Sequence, residues 1–240
     1  MATLFISDLH LHASRPEATQ VFYQFLQERA QGAEALYILG DFFDAWIGDD
    51  DDDPLVDEVA EQLAKLARTG TAIYLMHGNR DFLLGETFAQ RAGARLLPDP
   101  SLIDLYGRPA LLLHGDSLCT RDTEYMALRS QLRSEQWQAQ ILAQPLAVRR
   151  ALAAELRAKS KTMNSSKAED IMDVTPAAVT ELMREQGVDL MIHGHTHRPH
   201  RHQLDIDHTP AERIVLGDWH DNAWCLVATP ESLELEHWAI

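Results

Sequence analysis

Ala35-Leu36-Tyr37-Ile38-Leu39-Gly40-Asp41 carries the fold in miniature: five residues without a charge, a glycine, then a carboxylate. An apolar run with no alternation reads as a strand covered on both faces, and such strands belong to sheets layered under helices. The glycine lets the backbone turn sharply and leaves Asp41 at the strand end. The same phrase recurs four times. Leu4-Phe5-Ile6 runs into Ser7-Asp8-Leu9-His10, and Ala72-Ile73-Tyr74-Leu75-Met76 into His77-Gly78-Asn79-Arg80-Asp81. Ala110-Leu111-Leu112-Leu113 runs into His114-Gly115-Asp116, and Leu190-Met191-Ile192 into His193-Gly194-His195-Thr196-His197.

Helical periodicity fills the gaps. Ala18, Val21, Phe22, Phe25 and Leu26 share one face of a helix opened by Pro16, with Ser14-Arg15-Pro16-Glu17 as a capping box. Val56, Val59, Leu63 and Leu66 follow Asp53-Pro54, and Val179, Leu182 and Met183 follow Thr175-Pro176 in a helix ending near Gly187. Arg213–Leu216, Ala223–Val227 and Leu233–His237 read as short closing strands. The fold class is therefore α/β. Residues 121–170 break the alternation with helical patterns alone. The expected organisation is a core of residues 1–120 and 171–240, with 121–170 as a helical insert, or lid, over the sheet.

The chain has 240 residues, 45% apolar and 24% charged, which suits one large domain and excludes disorder. Cys119 and Cys225 are far apart, so neither a disulfide framework nor a thiolate metal site is expected, and a reducing compartment fits. The N-terminal stretch lacks a basic region, so no secretory signal is expected, and no apolar run is long enough to span a bilayer. The net charge of −16 is unevenly placed. Residues 121–167 hold nine Lys/Arg against four Asp/Glu, and the remainder holds twelve against thirty-three. An acidic body with 7% aromatic residues is a poor nucleic-acid binder, and no nucleic-acid partner is expected.

The strand ends supply seven candidate ligands: Asp8, His10, Asp41, Asn79, His114, His195 and His197. Nitrogen and oxygen donors without thiolate suit Mn, Fe, Zn or Mg-type ions. Seven donors exceed the need of one ion with an open position and suit two, with one carboxylate shared. Asp8 and His10 are one residue apart, as are His195 and His197, a spacing that turns both side chains of each pair to one face. Two divalent ions over two carboxylates leave a positive site, which calls for an anionic substrate such as a phosphate ester. Each piece alone reads as an ordinary turn; five at successive strand ends read as a site.

In order, Asp-x-His, Gly-Asp, Gly-Asn-x-Asp, His-Gly-Asp and Gly-His-Thr-His resemble the calcineurin-like metallophosphoesterase family, over nearly the whole chain. The resemblance implies a β-sandwich core flanked by helices, a dinuclear centre bridged by Asp41, and hydrolysis of phosphate esters by metal-activated water. Many members carry His after the Asn, as general acid. Here that position is Arg80, which stabilises charge but gives up no proton at neutral pH. A leaving phosphate monoester, whose second pKa is about 6, needs little protonation. Arg80 thus favours a pyrophosphate bond.

A narrower resemblance lies in Tyr37–Asp49, His77–Leu83, His114–Asp122 and Asn164–Lys167. It is to the branch of the family that cleaves UDP-2,3-diacylglucosamine to UMP and 2,3-diacylglucosamine 1-phosphate in lipid A biosynthesis. It implies two Mn2+ ions, a lipid-linked UDP-sugar substrate, and peripheral attachment to the cytoplasmic face of the inner membrane. Substrate contacts then fall on Asn79, Arg80, Asp122, Ser160, Asn164, Lys167 and His195, with Arg80 and His195 as catalytic groups. Tyr125, Leu128, Leu132 and Leu152 line an acyl groove or form the insert's own core. Arg149-Arg150 face anionic lipid or water, and Asp49–Asp53 are a solvated loop and helix start. Asp116 and Asp218 are candidates to support the ligands from behind. Competing readings are a phosphoesterase for other nucleotides and a scaffold with a retired site.

Overall fold

Among the described residues eleven strands form two sheets packed face to face. The computed structural model describes residues 2–166 and 171–240, with side chains left aside in 161–166. The first sheet runs in the order β11 (Leu233–Ala239), β10 (Asn222–Ala228), β1 (Thr3–Ile6), β2 (Ala35–Leu39), β3 (Ala72–Met76), β4 (Ala94–Leu97). The second runs β5 (Ser101–Leu105), β6 (Arg108–Leu113), β7 (Leu190–His193), β9 (Thr209–Val215), β8 (His200–Ile206). Strands β1 to β4 are parallel, as are β6, β7 and β9; antiparallel strands close every edge but that of β4.

The continuous apolar runs follow from two covered faces per strand. Phe5, Leu39, Met76, Leu112, Ile192 and Ile214 fill the space between the sheets. Their sequence neighbours point the other way, because side chains alternate along a strand. Leu4, Ile6, Leu36 and Ile38 meet the helices α1 (Pro16–Phe25, continued by a π-helical turn to Ala30) and α2 (Pro54–Arg68). Leu111, Leu113 and Met191 meet Val179 and Met183 of α7 (Pro176–Gln186). Asp53 caps α2 by accepting from Leu55 N, and α7 stops at Gly187, whose φ of 65° suits the left-handed C-cap.

The expected capping box of α1 does not form. The helix begins at Pro16, so Arg15 takes the cap position, and the Ser14 hydroxyl pairs instead with His12 Nδ1 at 2.7 Å. Three strands and a short helix (α3, Glu86–Arg91) had no sequence reading: β4, β5 and the edge strand β8.

Residues 123–166 fold as α4 (Thr123–Leu132), α5 (Glu135–Leu142) and α6 (Leu146–Ser166). No side chain of α4 or α5 is fully buried. The cationic excess of this segment is spent on the acidic body. Arg149, only 4% exposed, binds Asp50 and the Ile47 carbonyl, and Arg150 binds Asp51 and Asp52. Arg129 and Arg133 reach Asp116, and Arg157 reaches Asp44. Arg149 is thus a buried anchor, whereas Arg150 pairs with its aspartates on an exposed face; Asp50 and Asp52 are exposed and Asp53 starts α2, as the loop-and-helix-start reading expects. Asp49 accepts from the Gly85 and Phe88 backbone at the start of α3; Asp50, Asp51 and Asp52 pair with arginines of α6, and Asp53 caps α2.

Candidate metal centre

All seven candidate donors sit on loops that leave the C-terminal ends of β1, β2, β3, β6 and β7, the crevice side of a parallel sheet. Five of them adopt left-handed backbone: Asp8 (φ 56°), His10 (50°), Asp41 (50°), His195 (69°) and His197 (55°). Asp and His tolerate this region better than most residues, yet each such position costs about 1–2 kcal/mol. Strain concentrated on one constellation is a mark of a functional site.

Two glycines let the loops touch. A Cβ on Gly78 would collide with the carboxylate and backbone nitrogen of Asp41, and one on Gly194 with Asp8 and Ser7. Asp81, fully buried, holds the loops of β2 and β3 together. Its Oδ1 accepts from Gly78 N (2.7 Å) and Asp41 N (3.3 Å), and its Oδ2 from Phe42 N (2.7 Å) and Phe43 N (3.4 Å). The motif Gly-Asn-x-Asp contained Asp81, but its role as a backbone cradle emerges only in three dimensions.

The donors converge as two groups. Asp8, His10 and His197 offer atoms within 4.8 Å of one another, and so do Asp8, Asp41 and His114. Asp8 is common to both groups, and Asp41 faces a histidine on either side, with Oδ2 at 3.9 Å from His10 Nδ1 and Oδ1 at 3.7 Å from His114 Nε2. Asn79 Oδ1 lies 3.0 Å from His114 Nε2. His114 Nδ1 donates to the Leu39 carbonyl, which leaves Nε2 to face the centre. His195 belongs to neither group. Its ring packs edge-on to His114 at 5.0 Å, and its backbone N donates to Asp8 Oδ2. Asp218 does stand behind a donor, 3.6 Å from His197 Nδ1. Asp116 instead turns to the insert, where it accepts from Arg129 and from the Tyr125 hydroxyl.

The residues fit divalent cations. Asp8 Oδ1 and His10 Nδ1 are buried polar atoms with no hydrogen-bond partner, a costly state that a bound ion relieves. Burial pushes Asp41 up to about 6, only partly offset by His114 and Arg80, so its carboxylate lacks positive charge. Burial also acts on Asp8, but His197, His114 and His10 outweigh it and hold that carboxylate below its ordinary range. Burial and His114 push His195 down to about 4, which leaves it a neutral imidazole at pH 7. Both cysteines are buried elsewhere, with thiols pushed up to about 12 by burial.

A cleft adjoins the centre. Asn79 and Arg80 line it, and so do Asp122 and Ser160 of the insert segment. Tyr125, Leu128, Leu132 and Leu152 line it as well, all half-buried, so they form a groove wall rather than a closed core of the insert. The ring of Tyr125 also stacks on His195, with centroids 6.0 Å apart. The side chain of Asn164 and the whole of Lys167 lie outside the described residues. Arg80 joins cleft to centre: its backbone N and Nε face Asp41, and Nη1 donates to Asp44 Oδ1 at 2.6 Å. Asp44 and Arg157 were missed in the sequence, where no local signal pairs them.

The calcineurin-like phosphoesterase model matches residues 1–199. A Cellvibrio japonicus protein named UDP-2,3-diacylglucosamine hydrolase is 66% identical over 240 residues, covering all of both chains. Proteins of the same name from Pseudomonas aeruginosa and Marinobacter nauticus are 58% and 57% identical. The first covers 94% of each chain, the second 95% of this chain and 94% of its own.

Proposed function

The chain belongs to the calcineurin-like phosphoesterase family, and on that premise we propose that it hydrolyses the pyrophosphate bond of UDP-2,3-diacylglucosamine to UMP and 2,3-diacylglucosamine 1-phosphate in lipid A biosynthesis. One observation carries the reading: Asn79, a donor, and Arg80, which faces the donor Asp41, both line a largely apolar cleft whose other lining residues include Tyr125, Leu128, Leu132 and Leu152. A lipid-bearing pyrophosphate needs that juxtaposition of hard cations and greasy wall, and the relatives' printed names agree with it.

Asp8, His10 and His197 would hold one divalent ion; Asp41, Asn79 and His114, with His195 beside them, would hold the other, and Asp41 would be shared. Mn2+ is the proposed metal, on the oxygen and nitrogen donors and the family resemblance. When bound, such ions neutralise phosphate oxygens and acidify a water. The chain's own groups do the rest. Arg80, held by Asp41 and Asp44, presents N–H donors where charge grows on the leaving phosphate. His195, neutral and braced by Tyr125, is free to ligate or donate without adding a second positive charge. In the proposed lid, residues 121–170, Lys167 holds the sugar-side phosphate, Asp122, Ser160 and Asn164 bond sugar and amide groups, and the groove takes the acyl chains.

Among the described residues no helix is long and apolar enough to cross a membrane. Peripheral attachment on the cytoplasmic side is proposed instead, through Leu142 (41% exposed) and Val148 (47%) at the α5–α6 corner. The test is UMP release from the acylated UDP-sugar with Mn2+, with and without chelator. Chelator-sensitive UMP release supports the proposal. Preferential hydrolysis of cyclic nucleotides or dinucleoside polyphosphates would overturn it.

A further inference from the structure

Asp44 serves two masters. Arg80 Nη1 donates to its Oδ1 at 2.6 Å, and Arg157 of α6 takes the same carboxylate with Nη2 (2.8 Å to Oδ1) and Nε (3.1 Å to Oδ2). One guanidinium comes from the core and the other from the insert, and both line the cleft. The other carboxylate near Arg80 is Asp41, 3.4 Å away and claimed by the donor cluster. Two guanidiniums around one dedicated carboxylate leave a surplus positive charge on a half-buried wall. Surplus charge withdrawn from water is costly unless an anion completes the site.

The insert's fastening arginines look different. Arg149 and Arg150 are pushed up, first by their hydrogen bonds to Asp50 and to Asp51 and Asp52. Arg157 is pushed down, by burial and then by the charge of Arg80, although it makes two hydrogen bonds to Asp44. A planar guanidinium fork matches phosphate oxygens in pairs, which an ammonium does not. A pyrophosphate brings two adjacent phosphoryl groups, and the cleft offers two such forks beside the donor cluster.

We infer that Arg157 is a substrate-phosphate ligand that works with Arg80 from the insert side, and that Asp44 is the positioning residue holding both forks in register. The inference rests on the proposed function and deepens it. The bland alternative is a strut that ties α6 to the core, as Arg150 does.

The experiment compares Arg157→Gln, Arg157→Lys, Asp44→Asn and Arg150→Gln with the unmodified protein, all loaded with Mn2+. Inorganic phosphate is titrated calorimetrically, and UMP release from UDP-2,3-diacylglucosamine is followed in parallel. Arg157→Gln is expected to weaken phosphate binding and to lower kcat/KM, each roughly 10- to 100-fold, the worth of one charge-assisted hydrogen-bonded contact. Arg157→Lys recovers part of both losses. Asp44→Asn keeps the cations but loses their register, so kcat falls while KM stays within about threefold. Arg150→Gln leaves phosphate binding and kcat/KM within about twofold. Phosphate affinity within twofold of the unmodified protein in Arg157→Gln would overturn the inference, even if that variant melts earlier, because a strut predicts that pattern. A rise in KM with unchanged kcat in Asp44→Asn would overturn the positioning role. If the unmodified protein releases no UMP, the functional proposal fails on its own, and the phosphate titration still decides on Arg157.

Discussion

Asp81→Asn should damage this protein more than any other isosteric change near the centre. The buried carboxylate accepts four backbone N–H bonds, two on each oxygen, from the loops that carry Asp41 and Asn79. An asparagine keeps one acceptor oxygen. Its amide nitrogen then faces two N–H groups that have no other acceptor. A hydrogen bond to a charged group contributes about 1.5–3 kcal/mol, and a buried orphan donor costs about 1–3 kcal/mol. Counting the loss of one oxygen's pair, and allowing for the long 3.3 and 3.4 Å members, the change is about 3–5 kcal/mol. For a chain of this size each kcal/mol shifts Tm by about 2–4 °C, so a drop of roughly 6–20 °C is expected. Metal affinity should fall with it, since Asp41 N is one of the four donors. Thermal melting by circular dichroism, with and without Mn2+, measures both. A Tm within 2 °C of the unmodified protein and an unchanged metal content would refute the cradle.

Three further outcomes follow from the geometry. Gly78→Ala places a methyl group on the Asp41 carboxylate; UMP release and bound metal should fall at least about tenfold while the circular dichroism spectrum stays that of the folded chain, and normal metal content would count against the close approach. Burial alone would lower His114, but Asp41, Asp8 and Asp116 outweigh it and hold the ring up to about 9, so the metal-free protein carries a proton there at pH 7 that a ligated ion must displace; metal loading should release protons, and affinity should rise between pH 7 and 9, as calorimetry in buffers of different ionisation enthalpy would report. Arg149→Ala removes donors from the Ile47 and Gln144 carbonyls and from the largely exposed Asp50; the backbone acceptors alone put the loss at about 1–3 kcal/mol, seen as faster proteolysis around residues 135–145, and unchanged cleavage would show that the insert is held elsewhere.

The strands that carry donors were legible because both of their faces are covered, so each wrote an unbroken apolar run, followed by glycine, histidine or, in β1, Ser7-Asp8. The strands without a reading lie at sheet edges. His200–Ile206 shows water a row of His, Arg and Gln, and Ala94–Leu97 carries an exposed Arg95 and no fully buried residue, so neither repeats the buried pattern. The family motifs located the donors, but which carboxylate supports what depended on contacts far apart in sequence. Asp81 reads as one more acidic residue until four backbone nitrogens are found around it. Arg149 and Arg150 read as a free basic pair because charge along the chain says nothing about the aspartates that folding brings opposite them. Asp44 and Arg157 were invisible for the same reason.

The convergence of the donors on two divalent ions is tested most directly by an anomalous difference map at the manganese edge from Mn2+-soaked crystals. Two peaks are predicted, one among Asp8, His10 and His197 and one among Asp41, Asn79 and His114. An empty map, or a lone peak away from these side chains, would contradict the account.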